Sequence, residues 1–218
     1  MRLEEHLQRV GTFGFTERQT RFLLLVLRHS GVCLARQYCS YAGIVRGQKT
    51  HDFFRRLVSR RLATPYACVR PRSRVYHLHH KALYRAIGEP ETRLRRPTTL
   101  GRAVERLMIL DHLVAHPETT WLAAEREKVE HFVGEGLHED NLPSITFTGR
   151  TGQTRRFFAE RLPIGLPNRE SGYVFVWLAT QEVPIDFRGY LEQRADLMRR
   201  LKSWRIHLLA PGHLAGHV

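Results

Sequence analysis

Between Thr16 and Leu78 the sequence changes period three times within a short span, and that succession leaves few folds open. Thr16-Glu17 opens a helix, and Gln19 completes a capping box with the threonine. The apolar run from Phe22 to Leu27 carries this helix to about His29, where Gly31 ends it. Val32-Cys33-Leu34 is a short apolar bridge. A second helix over Ala35–Ala42 stops at Gly43, and a third runs from about Lys49 to Arg61 with Phe53, Phe54, Leu57 and Val58 at helical spacing. Leu62 to Cys68 then reads as a strand, Val69 to Arg74 as a polar turn, and Val75 to Leu78 as the return strand.

Three short helices with glycine joints, followed directly by a basic hairpin, have the order of a winged helix-turn-helix. His80 to Ile87 adds a short helix that closes at Gly88. Residues 89–99 hold two prolines and no periodicity, and read as a linker between a first domain (1–88) and a second (100–218). Leu100 to His116 is amphipathic, with Val104, Leu107, Met108, Leu110, Leu113 and Val114 on the apolar side. Trp121 to Val133 reads as a further helix. Ser144–Thr148, Arg155–Leu162 and Tyr173–Leu178 read as strands, Phe187–Trp204 as a helix, and Arg205–Ala210 as a closing strand. The expected class is α+β: an N-terminal winged helix and a smaller α/β domain with a short sheet.

Charge separates the halves. Residues 1–100 carry 20 Lys+Arg against 6 Asp+Glu, whereas residues 101–218 carry 15 of each, so the net charge of +14 belongs to the first half. An excess so confined argues for a polyanionic partner, and duplex DNA is the usual one. No basic amphipathic helix with an exposed apolar face favours a membrane surface. Three cysteines are too few for a disulfide framework, the longest apolar run is too short to span a bilayer, and Glu4 and Glu5 stand where a signal peptide would be apolar. The expectation is a cytoplasmic protein.

The third helix is the best candidate site. Gln48, Lys49, Thr50, His51, Arg55, Arg56, Arg60 and Arg61 surround its apolar face, with Lys49 and Thr50 near the end that enters a major groove. Arg70, Arg72 and Arg74 alternate along the hairpin and would line one side of a wing against the backbone. His77, His79 and His80 with Cys68 lack the paired spacing of a zinc site, and Cys33 and Cys39 lie too far apart in sequence, so no metal or other cofactor is expected. Glu125, Glu127, Glu130 and Asp140 read as a solvated face, and Trp121, Trp177 and Trp204 as core anchors. No phosphate loop, G-x-S-x-G or H-E-x-x-H is present, and the chain is expected not to be an enzyme.

The runs Thr16–Leu27, Phe53–Val58 and Tyr76–Leu78 resemble the winged-helix part of replication-relaxation-like proteins of bacterial mobile elements. That resemblance covers the first domain, and implies a transcription regulator or accessory factor binding duplex DNA. It further implies a second domain similar to restriction-endonuclease-like nucleases. Their catalytic acids would fall where this chain has Pro163-Ile164-Gly165 and Val176-Trp177-Leu178-Ala179, so that domain is expected to be degenerate and to mediate homodimerisation or partner binding. The alternative is a metal-dependent nuclease or other DNA-processing enzyme. Its acids would come from Glu160, Glu170, Glu182 and Asp186, the carboxylates nearest the predicted strands.

Overall fold

The structure, a computed structural model, describes residues 3–68, 73–149, 152–166, 172–179 and 185–212. It is α+β and divides into two compact units, Met1–Pro117 and Glu118–Val218. In the first, α1 (Leu3–Gly11), α2 (Glu17–His29), β1 (Val32–Leu34), α3 (Ala35–Ala42) and α4 (Gln48–Ser59) lead into β2 (Ala63–Ala67) and β3 (Arg74–Leu78). α5 (Lys81–Ala86), a 3-10 turn (Arg93–Arg95) and α6 (Leu100–Ala115) complete it. The capping box at Thr16 forms as its sequence requires, with Gln19 N–H donating to Thr16 and Thr16 N–H donating to Gln19 Oε1.

The apolar bridge Val32–Leu34 is a strand. It pairs antiparallel with β3, which also pairs with β2, in the order β1-β3-β2. Phe22, Tyr38, Phe53 and Phe54 pack edge-on or tilted beneath this sheet, with Tyr76 against Phe54 at 4.2 Å between ring centroids. Gly31 turns the chain from α2 into β1 at φ +69°, and a Cβ there would stand 2.6 Å from the Leu94 carbonyl oxygen.

The expected boundary at 89–99 is corrected. Leu94 packs on the first core and its carbonyl meets His77 Nε2 at 3.0 Å. α6 belongs to the first unit: Leu110 and Val114 join its core, and Arg36 holds Asp111 through two bonds of 2.6 and 2.7 Å. The buried Gln37 donates to Leu107 O and Asp111 Oδ1 and accepts from Leu34 N–H, so its amide is satisfied entirely by this junction. A Pro-containing stretch without periodicity resembles a linker in sequence, but here it is a strap that carries α6 back onto the sheet.

In the second unit, Trp121–Val133 is not one helix. Trp121–Leu122 is a short strand, β4, and α7 begins at Glu125 and ends at Gly134. β5 (Ser144–Gly149) and β6 (Gly152–Phe157) form a separate hairpin. β7 (Ile164–Gly165), β8 (Tyr173–Leu178), α8 (Ile185–Arg200) and β9 (Trp204–Leu209) follow, and the sheet order is β4-β7-β8-β9. Among the described strands only β8 and β9 run parallel, joined by α8. Phe132, Phe158, Phe175, Tyr190 and Leu197 form this unit's core. Among the described residues no helix is long and apolar enough to cross a membrane.

Candidate nucleic-acid interface and metal ligands

α4 is amphipathic, and its buried face decides which polar residues reach solvent. Phe53, Phe54 and Leu57 turn inward, and Thr50 turns with them. The Thr50 hydroxyl lies 3.4 Å from Cys39 Sγ in a half-buried contact, which removes it from the expected DNA-facing set. Gln48, Lys49, His51 and Arg55 are exposed. Asp52 sits among them: its Oδ1 accepts from Gln48 Nε2 at 2.8 Å and from Arg55 Nη2 at 2.5 Å. This carboxylate links two residues that each lie one helical turn from it, the spacing at which helix side chains meet.

Arg56 and Arg60 are exposed at the end of α4, but both turn toward the α1–α2 loop. Arg56 donates to Gly14 O, Arg60 to Phe13 O, and both guanidinium groups lie over the Phe15 ring. Their first role is to fasten that loop to the helix. Of the hairpin arginines, Arg74 is exposed on β3, while Arg70 and Arg72 lie outside the described residues. With the boundary moved to Pro117, the first unit holds 22 Lys+Arg against 8 Asp+Glu and the second holds 13 of each. The charge asymmetry therefore follows the structural division.

The expectation of a chain without metal ligands, and so without metal-based enzymatic chemistry, is corrected at the end of α6, where two imidazoles could hold an ion. His112, in the last turn of α6, and His116, the residue that caps that helix, stand four residues apart, with ring centroids 4.3 Å apart and ligand nitrogens within 4.8 Å. His116 Nδ1 donates to the His112 carbonyl oxygen at 2.8 Å, a bond that places the lone pair on Nε2. A backbone acceptor behind an imidazole is the usual support for a metal-ligating histidine. The signal is present in the sequence as H-x3-H at the end of a strong helical pattern, where the apolar periodicity masks it. His77, on β3, is instead committed to Leu94 O, and burial lowers its pKa. His207 is half-buried on β9 of the second unit.

Among the described residues the carboxylates do not form an acidic site. Glu160 pairs at 2.6 Å with Arg194, a buried guanidinium that also lies 3.7 Å from the Tyr190 ring centroid. The arginine holds Glu160 below the usual carboxylate range against the opposing effect of burial. Asp186 is exposed at the start of α8, and Glu170 and Glu182 lie outside the described residues. Glu125, expected on a solvated face, accepts from Phe157 N–H and Arg156 and so ties α7 to β6. Glu127 caps its own helix by accepting from Ala123 and Ala124 N–H, while Glu130 and Asp140 make exposed ion pairs with Arg126 and Arg155. Trp121 is buried and Trp177 is stacked with Phe187 and Tyr190, but Trp204, at the start of an edge strand, is 43% exposed. No family model, curated protein or solved structure matches the chain.

Proposed function

We propose that the chain is a metal-dependent DNA-processing enzyme, with a winged-helix-like first unit gripping duplex DNA and a transition-metal ion held on α6. The histidine pair carries this reading: His112 and His116 present two imidazoles at one turn's spacing, the second oriented by a backbone acceptor. Imidazole donors suit zinc, cobalt, nickel or iron better than magnesium. An ion there would supply a polarising charge for a phosphate oxygen and a bound water of lowered pKa. The grip is supported by the excess of cations in the first unit, by the exposed Gln48, Lys49, His51 and Arg55, and by Arg74 on the strand that leaves the hairpin. A metal site built on the C-terminal acids is not part of this proposal, because Glu160 is committed to Arg194.

The test uses the full chain with supercoiled plasmid and labelled linear duplex, in EDTA and then with Zn2+, Co2+ or Mn2+. Expected are salt-steep duplex binding and a metal-dependent change in the plasmid, nicked, linear or relaxed. His112→Ala and His116→Ala should each abolish that change and the Co2+ absorption bands while leaving duplex binding intact. Plasmid unchanged under every metal would sink the enzymatic reading. A second reading rests on the exposed face of α4: a DNA-binding regulator or accessory factor of a mobile element, whose histidine-held metal modulates binding. In that case the metal would shift duplex affinity and form no product.

A further inference from the structure

Asp52 is the one acidic residue on a helix face that is otherwise built to meet phosphate. Its placement carries a cost, since a carboxylate beside a DNA backbone repels it. The same side chain is bonded to two long polar neighbours on that face, Gln48 and Arg55. Oδ1 accepts from Gln48 Nε2 at 2.8 Å and from Arg55 Nη2 at 2.5 Å, with Asp52 44% and Arg55 63% exposed. Lys49 and His51, the other exposed polar residues of this stretch, have no such bond to Asp52 among the described contacts.

We propose that Asp52 is a positioning residue for base readout: it holds Gln48 and Arg55 in fixed rotamers so that both present bidentate edges to bases in the major groove. The inference rests on duplex binding through α4 and deepens it from grip to specificity. A guanidinium has five N–H donors, and the bond to Asp52 leaves a fork that matches O6 and N7 of guanine. A glutamine amide offers the complementary donor–acceptor pair for adenine. Free in solution, either side chain would lose rotamer freedom on binding, and a shared acceptor one turn away removes much of that loss beforehand. The carboxylate thus trades general affinity for discrimination. Electrostatic attraction to phosphate carries no sequence information, whereas held donors do.

The two effects have opposite signs, and that makes them separable. The experiment selects duplexes from a randomised pool with the full chain, then measures affinity for the selected site and for a scrambled duplex across salt. In Asp52→Ala, scrambled-duplex affinity should rise roughly two- to threefold at low salt, because one repulsive charge is gone. The ratio of selected to scrambled affinity should fall about five- to tenfold, from the loss of two pre-set side chains. Asp52→Asn keeps an acceptor and should retain most of the ratio while showing the same gain on scrambled DNA. A merely structural role would move both affinities together and lower the unfolding temperature. An unchanged ratio in Asp52→Ala, or a wild-type chain that binds duplex without enriching any sequence, overturns the proposal while duplex binding stands. Absence of duplex binding by the wild type even at low salt overturns both.

Discussion

Lys128 shows how far a single residue departs from what its type suggests. It lies on α7 among charged neighbours, yet its side chain is wholly buried, donates to Leu162 O at 2.7 Å and sits 5.6 Å from the Phe158 ring centroid. Burial, with Arg194 and Arg161 adding to it, pulls the ammonium pKa down to about 7, against the opposing carboxylates of Glu160 and Glu127. An unfolded lysine keeps its proton to about pH 10.4. Between these values the unfolded chain binds more protons than the folded one, so stability rises with pH from about 7 to about 10.4 and is lowest below 7. Chemical denaturation should find the protein more stable at pH 9 than at pH 6 by roughly 2–3 kcal/mol from this group. Lys128→Met should lose that slope; an equal slope in both proteins would show that another group is responsible. Sequence placed Lys128 on a helix but gave no sign of its burial, because α7 carries charge on almost every side.

At the scale of elements, helices α2 to α5 and the turns between them were legible because each carries its own chemistry. The capping box at Thr16, the left-handed Gly43 and the aromatic stripe of α4 all act within one or two helical turns. β1 was not, since three residues hold no readable period and become a strand only when β3 lies beside them. Two glycines separate local from tertiary demands. Gly31 and Gly43 both have positive φ, but a Cβ at Gly43 meets nothing within 4 Å, whereas at Gly31 it meets the Leu94 carbonyl and the Tyr84 hydroxyl. Gly43→Ala should cost about 1 kcal/mol, the backbone term alone. Gly31→Ala should cost more, about 2–3 kcal/mol, because the strap carrying Leu94 must also shift. Thermal unfolding of the two variants checks this, and equal losses would mean that Leu94 is not held against the turn.

For the molecule as a whole, the decisive difference is where the first unit ends. A fragment of residues 1–117 retains Asp111 for Arg36, the Leu107 carbonyl for Gln37, and Leu110 and Val114 in the core. Cut at residue 99, it loses all of these and leaves the buried Gln37 amide without its acceptors. The longer fragment should unfold cooperatively, and the shorter should be destabilised by several kcal/mol, on the order of 3–5, or fail to fold. Circular dichroism melts of the two decide it; equal midpoints would restore the boundary to residues 89–99. The sequence by itself determined helices α2 to α5, the exposed cationic face of α4 and the confinement of charge, because periodicity, capping and composition are local or additive properties. Tertiary structure alone decided that the strap and α6 complete that unit. It also turned Thr50 inward and committed Arg56, Arg60 and Glu160 to structural bonds. Each of these depends on which partner a side chain meets, and a partner distant in sequence leaves no periodic trace.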